Sequence, residues 1–531
     1  MSPMRHPRWK SSKSKPKVSS FRQVAVIIPN GPDRTFKTGR EMKKAIILLC
    51  VVAGILSCTK EPKGPQEPAA DTPMTFEISV AETKAAKDAW ADGDQIYVFF
   101  HGLATKFLIL ERSSGSWTYM YGKETITAED FNGLETKKLT AVHFPFQNVM
   151  VTYSDNKFTF TKNSKPIYNY YLYETDKAYT VSGTTVTVTL SLRKPDDIAL
   201  FHVKGLEGTQ TDYTFACPFV VPVACTSVGL DGKIDRNRLQ AGARLSGIAD
   251  SDGAIFAGRL SLAGLSTNYN FTFASDTKLY TYTKSLTLAA GYMYNIELPA
   301  SLTGDSGWTV QNASDLYVDM GSVGKWAKCN LGASSETDYG NYYAWGELQP
   351  KSAYGWDNYL WANGVGTKLT KYCNDSAYGD EGFTDGLTVL QLEDDAAYAA
   401  LGGMFRMPSN VDIINLVATF SSTLPPDTGY TWTWCDGSTT KYNETTVKGW
   451  KIEYNSTHAT LFLPAAGCRE ITSPISEGEG GRYWSSSINS THWNSGGPDE
   501  ALNIYTNNIQ PSRMSQKRYL GFSIRPIYTG N

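Results

Sequence analysis

Strict alternation between apolar and polar side chains limits this chain more than any other feature. Val186, Val188, Leu190 and Leu192 are apolar, and Thr187, Thr189 and Ser191 between them are polar. A half-buried strand needs that period of two, because successive side chains leave a pleated backbone on opposite faces. Phe76, Ile78 and Val80 repeat the pattern, and Gln95–Phe100 follows the turn-forming run Ala91-Asp92-Gly93-Asp94. Asp231-Gly232 marks a hairpin turn, and Phe271-Thr-Phe273 and Tyr280-Thr-Tyr282 carry the habit on toward Leu298. No convincing amphipathic helix interrupts this span, so one or two antiparallel sandwiches are expected.

Upstream of the strands the chain reads as an export signal. Met42-Lys43-Lys44 is a short cationic start, and Ala45 to Ser57 is a run of 13 apolar or small residues. A bilayer span needs about 20, so this run is a signal peptide over 42–57 rather than a membrane helix. Ile55-Leu56-Ser57-Cys58 closes it, and the Cys58 thiol is the expected lipid attachment. Residues 58–74 then form a flexible tether rich in Lys, Glu, Pro and Ala. Residues 1–41 carry ten Lys or Arg against Asp33 and Glu41. They read as an upstream extension, with translation expected to start at Met42. Taking their net +8 and the two signal lysines from the total of −2 leaves −12 for residues 59–531. An acidic chain argues against nucleic acid or an anionic membrane surface as partner.

Charged residues make up only 19%, while Tyr, Thr, Ser, Gly and Trp are abundant, a composition that suits extracellular β-structure. Beyond Cys50 and Cys58 lie Cys217, Cys225, Cys329, Cys373, Cys435 and Cys468. Cys217 and Cys225 are placed to close a small loop in an oxidising compartment, but pairing cannot be read from spacing alone. There is no CxxC pair, so no metal site is expected.

Trp90-Ala-Asp-Gly-Asp-Gln-Ile-Tyr-Val-Phe99, Leu139-Thr-Ala-Val-His-Phe-Pro145 and Leu286-Thr-Leu-Ala-Ala-Gly-Tyr-Met-Tyr-Asn295 resemble motifs of the fimbrillin-like lipoproteins of the Bacteroidales. The resemblance implies tandem transthyretin-like antiparallel sandwiches over 75–194 and 195–300. In that family, pilins polymerise by strand exchange once a protease removes an N-terminal strand, often after Arg. Here no Arg occurs between Cys58 and Arg112; only Lys84 and Lys87 are nearby.

After a Gly/Ser/Thr/Asp-rich linker at 301–314 the texture changes, and ten of the thirteen tryptophans lie from 308 onward. Leu392 to Leu401 reads as a short helix ending at Gly402-Gly403, with Asp394-Asp395 as its acidic first turn. Ser409-Asn-Val-Asp412 reads as a capping box before a helix over Ile413–Phe420. Lys325-Trp-Ala-Lys-Cys329, Tyr343-Ala-Trp-Gly-Glu347, Phe405-Arg-Met-Pro408, Tyr483-Trp-Ser-Ser-Ser487 and Gly521-Phe-Ser-Ile-Arg-Pro526 together resemble the Fibrobacter succinogenes major paralogous domain. That implies an α+β, C-type lectin-like domain over 315–531, with no settled catalytic activity.

Motifs for catalysis are missing. His101, His143, His202, His458 and His492 lie in no G-x-S-x-G, H-E-x-x-H or papain-like setting, and the first three fall in strand patterns. Glu347, Asp394 and Asp395 are carboxylates inside the resemblance motifs, which does not make them a pair. No enzyme activity and no cofactor are expected. C-type lectins bind calcium through Glu-Pro-Asn or Gln-Pro-Asp and a later Trp-Asn-Asp. Gln510-Pro-Ser512, Gly497-Pro-Asp499 and Trp493-Asn-Ser495 fall short of the oxygen set a calcium ion needs.

Aromatic side chains are the remaining signal. Trp326, Trp345 and Trp484 lie inside the resemblance motifs and read as core. Trp432, Trp434, Trp450 and Trp493 lie in polar, Gly-rich stretches and divide evenly between core and ligand platform, with Asp436, Asn494 and Asp499 as polar companions. The chain thus reads as an outer-membrane, surface-exposed lipoprotein, acting as an adhesin or an accessory or tip subunit of a fimbria. Pilins of the family polymerise through their C-terminal strands, whereas here residues 315–531 follow those strands. The expected partners are the membrane through the lipid, pilin subunits, and a glycan or a host or bacterial surface protein. A glycan-binding lipoprotein of a nutrient-uptake system and a purely structural envelope protein are the alternatives.

Overall fold

The computed structural model describes residues 11–12, 68–81, 90–145, 147–164, 171–205, 212–248, 254–261, 266–275, 277–302, 306–421 and 429–529. The signal segment, Cys58, Lys84 and Lys87 lie outside the described residues. The protein is mainly β, and most of its sheets are antiparallel.

The first core sits under a five-stranded antiparallel sheet in the order Ser116–Tyr121, Leu108–Ser113, Gln95–Phe100, Lys138–His143, Leu172–Ala178. Alternation works as expected in Thr185–Leu190, where Val186, Val188 and Leu190 are buried and Thr187 and Thr189 are exposed. Thr75–Val80 pairs with that strand in parallel, Thr75 opposite Thr185 and Phe76 opposite Val186, where alternation suggests an antiparallel neighbour. A parallel neighbour needs a long crossover, and the long stretch between the two strands supplies it. Phe76, Val98, Phe99, Phe158 and Phe160 fill this core.

A further sheet runs Met150–Ser154, Lys157–Thr161, Val223–Gly229, Ile234–Arg238, joining residues on both sides of position 194. Cys225 and Val228 from it pack into the first core. The Asp231-Gly232 turn closes its outer hairpin with Gly232 at φ +80°. A Cβ on Gly232 would lie 1.9 Å from His101 Nε2, so only glycine fits there. His101 is buried and bonds through Nε2 to Thr140 Oγ1 at 3.0 Å, a structural role.

The second core lies between two sheets. One orders Met293–Glu297, Ile198–Lys204, Ala254–Leu260 and Val220–Val221, with the two-residue strand Ser11–Ser12 at its edge. The other orders Leu245–Ile248, Asp212–Ala216, Ser266–Ala274, Lys278–Thr287 and Trp308–Asn312. Its last strand falls in the stretch expected to be a linker, and Trp308 pairs with Tyr282 in register. Phe201, Phe215, Phe256, Phe271 and Phe273 meet in the middle. Cys217 and Cys225 are separate buried thiols and close no loop; burial pushes Cys217 up to about 12.

Residues from Tyr317 onward are α+β. Tyr317–Asp319, Lys325–Ala327, Ile527–Tyr528 and Phe405–Arg406 form one small sheet that brings both ends of this region together. The Ser409 capping box is present, with Ser409 Oγ accepting from Asp412 N and Asp412 Oδ2 from Ser409 N. The helix it starts spans Asn410–Val417, ending before Phe420. The expected helix over 392–401 is two pieces, a 3-10 turn Leu392–Asp394 and an α-helix Ala396–Ala400. The break falls at Asp395, which is the N-cap: its side chain accepts from Ala397 N and Tyr398 N, and also from Met407 N. Asp394 therefore belongs to the 3-10 turn and lies outside the α-helix. It is buried and takes hydrogen bonds from Lys371 Nζ and Tyr372 Oη at 2.5 Å and from Gln240 Nε2 at 2.7 Å.

Gln240 also donates to Gly346 O, and nearby Arg244 reaches across to Ala399 O while bonding Thr214 Oγ1 at 2.8 Å. The loop carrying both thereby ties the second sandwich to the C-terminal region. Replacing Arg244 by Met leaves the Ala399 carbonyl without its donor in a buried setting. We expect Arg244→Met to lower unfolding free energy by about 2–4 kcal/mol. Chemical denaturation should show this, with faster amide exchange at 396–401.

Candidate recognition surface

Tyr430–Cys435, Gly449–Tyr454 and Ala459–Pro464 form a three-stranded antiparallel sheet. Trp432 and Trp434, two apart, share a face, and Trp434 stands directly opposite Trp450 on the neighbouring strand. The rings meet edge to face: Trp432–Trp450 at 5.8 Å and Trp434–Trp450 at 5.6 Å between centroids. Phe420 completes the cluster, 6.0 Å from Trp432 and 5.6 Å from Trp450.

The three indoles differ in how they are held. Trp450 is 4% exposed and donates Nε1–H to Asn507 O at 2.7 Å, so it is core. Trp432 is half-buried and donates to Thr419 Oγ1 at 2.9 Å. Trp434 is half-buried, and its Nε1–H has no acceptor among the described residues. It is the ring with both a face and a donor left for a ligand. Ile509, 72% exposed, lies in the turn that begins at Asn507, beside the Trp450 anchor. Phe420, Thr419 and Ile509 carry no local sequence signal for this role; chain folding alone brings them to the tryptophans.

The remaining candidates are placed elsewhere or otherwise engaged. Asp436 caps its own turn: Oδ1 accepts from Ser438 N at 2.8 Å and Thr440 N at 2.9 Å, and Oδ2 accepts from Thr439 Oγ1. Those bonds, the Thr439 hydroxyl first, hold its carboxyl well below the usual range. Trp493 lies beneath the Arg513 guanidinium, 4.7 Å from the ring centroid, and no ring contact joins it to the other tryptophans among the described residues. Asn494 is exposed with φ +54° in the same loop. Asp499 is buried and pairs with Lys517 Nζ at 2.7 Å. Glu347 pairs with Lys351 and accepts from Leu360 N at 2.8 Å, and burial raises its carboxyl. No group of three metal-ligating side chains occurs among the described residues, and none of their helices is long and apolar enough to cross a membrane.

Trp450→Ala should cost about 3–5 kcal/mol of stability as a core truncation, against about 1 kcal/mol for Trp434→Ala. Urea unfolding of the two variants checks the split.

No family profile and no curated protein matches the chain. Among solved structures, a fimbrial protein from Bacteroides ovatus aligns over 86% of this chain and 99% of its own, at 10% identity and a TM-score of 0.22. A candidate cell adhesion protein from the same species covers 46% of this chain and 97% of its own, at 14% identity and a TM-score of 0.25. A C-terminally truncated tip fimbrial protein from Porphyromonas gingivalis covers 42% and 94%, at 9% identity and a TM-score of 0.18. At such scores the likeness carries no weight for function, which rests on the chain's own residues.

Proposed function

We propose that this chain is a surface lipoprotein, anchored through Cys58, that serves as an adhesin or an accessory or tip subunit of a fimbria. In this reading residues 75–194 and 195–300 are tandem sandwiches forming a β stalk, and residues 315–531 are a lectin-like head. The head recognises a glycan or a surface protein through the Trp432–Trp434 face. One observation carries the reading: Trp434 is only half-buried, and its indole N–H has no acceptor among the described residues, while the ring packs on the buried Trp450. A sheet-borne aromatic that is already ordered loses little freedom on binding, and its face stacks well on the C–H face of a sugar.

The test is a glycan and cell-surface binding screen with the full chain, alongside Trp434→Ala and Trp432→Ala. We expect a bound ligand whose affinity drops about tenfold in Trp434→Ala, with the unfolding midpoint nearly kept. Absence of any glycan or surface-protein binding, or full binding by both variants, sinks the recognition role. Self-assembly of the purified protein into long regular filaments would instead make it a stalk pilin.

A further inference from the structure

A second concave site lies in the same C-terminal region, on residues that the aromatic face does not use. A cleft of about 200 Å³ opens between the segment around Tyr342, the segment Lys351–Tyr354 and the hairpin containing Arg469 and Ile471. Drug-sized ligands fill ~300–1,000 Å³, so this cleft suits a single small polar ring. Its lining contains two cations, Lys351 and Arg469, and no carboxylate. Each cation is paired to a carboxylate behind the lining, Lys351 to Glu347 and Arg469 to Glu477, so what the cleft offers an anion is hydrogen-bond donors rather than net charge.

The two cations have different freedom. Lys351 Nζ is spent on the fold: it bonds Glu347 Oε1 at 3.0 Å, Asn358 O at 2.9 Å and Asn358 Oδ1 at 3.2 Å. With the buried Glu347 carboxylate beside it, Lys351 shapes the wall and offers no spare donor. Arg469 lies 4.3 Å from the Tyr342 ring centroid and gives one N–H to Glu477 Oε2 at 2.9 Å. A guanidinium has five N–H groups in a fixed fork, and the rest of this one has no acceptor among the described residues. Ring stacking and the Glu477 bond hold the fork still, which is the arrangement a carboxylate meets with two parallel hydrogen bonds.

The walls are equally fixed. Tyr354 Oη donates to Tyr342 O at 2.5 Å, and Tyr342 Oη to Ala466 O at 2.6 Å. Gly521, bonded through its backbone to Arg469, has no Cβ because the Tyr354 ring occupies that space at 2.8 Å. At the rim Ile471 is held at φ +51°, a conformation costly for a β-branched residue. Two backbone hydrogen bonds to Tyr354, at 2.8 and 2.9 Å, keep it there with its side chain 67% exposed. Strain of this kind persists where the surroundings impose it and clusters at ligand sites. Asn341, Ser352 and Thr472 add exposed polar groups around the opening.

We infer that this cleft binds the carboxylate of an acidic sugar, one uronic-type unit of a glycan, with Arg469 as the fork that grips it. The inference rests on the recognition role of residues 315–531 but not on the tryptophan face. Asn341, Ser352 and Thr472 reach the sugar hydroxyls, and Ile471 covers its apolar edge.

The test uses the full chain with methyl β-D-glucuronide, methyl β-D-glucoside and acetate, followed by titration calorimetry and ligand-observed saturation-transfer NMR. We expect saturable binding of the glucuronide, with the glucoside and acetate each about tenfold weaker or worse. Arg469→Gln should lose about tenfold, and Arg469→Lys nearly as much, because an ammonium cannot fork. Thr472→Val, at an exposed position, should weaken glucuronide binding a few-fold and serves as the readout should the arginine variants fold poorly. Equal affinity for glucuronide and glucoside overturns the proposal, as does no saturable glucuronide binding or unchanged binding in both Arg469→Gln and Thr472→Val. Trp434→Ala should leave glucuronide binding unchanged, which separates failure here from failure of the aromatic face.

Discussion

The C-terminal region depends on a buried cation that bonds no carboxylate among the described residues. Arg525 is fully buried, and its guanidinium bonds Ala327 O, Lys328 O, Asn330 Oδ1 and Phe462 O. These acceptors come from two segments far apart in sequence, and the arginine itself comes from a third. A buried guanidinium is tolerated when its donors are met, and the carbonyls it serves would otherwise be orphaned in the interior. Among the described residues, no strand lies between Lys325–Ala327 and Phe405–Arg406, so a multivalent donor does there part of the work that sheet ladders do in the sandwiches. Two tryptophans strengthen the same junction reciprocally. Trp345 Nε1 donates to Ser485 O at 2.7 Å, and Trp484 Nε1 donates to Tyr343 O at 2.8 Å. Each indole thus reaches the backbone next to the other's position, and Trp484 stacks on Phe522 at 4.0 Å.

That rigid centre supports the tryptophan face and the cleft at different distances from it. The cleft is attached almost directly, since Gly521 lies next to Phe522 and seats Tyr354. The tryptophan face is attached through the sheet ending at Pro464, whose Phe462 carbonyl Arg525 holds. Gln240 and Arg244 extend the same continuity into the second sandwich, where Gly402 lets the turn approach Ala274 within 2.2 Å of where a Cβ would stand. Buried hydrogen bonds of this kind make a fixed mount rather than a freely swinging linker, because separating the parts would expose unpaired donors and acceptors.

Several local features are legible in the residues themselves. The buried faces of Thr185–Leu190 follow from alternation alone, the Asp231-Gly232 turn from its two residues, and the Ser409 cap from its spacing to Asp412. Trp326, Trp345 and Trp484 read as core, and each is fully buried. Other expectations fail because the deciding partner is distant. Asp394 and Asp395 look alike in sequence, yet one meets Gln240 and Lys371 and the other caps a helix. The Trp308–Asn312 stretch looks like a linker until Lys278–Thr287 offers an unpaired edge.

What the sequence by itself determined is the set of short-range choices: strand faces, turns, caps, and the indoles that had to be core. These depend on backbone geometry within a few residues, which side-chain pattern reports directly. Tertiary structure alone decided which aromatic rings meet, leaving the Trp434 N–H without an acceptor among the described residues, burying Trp450, and sending Trp493 to Arg513. It alone assembled the cleft, where Tyr354 pairs with Ile471 and Tyr342 bonds Ala466 across more than a hundred residues. Pairings at that separation are set by sheet register and by buried donors seeking acceptors, and no local pattern encodes either.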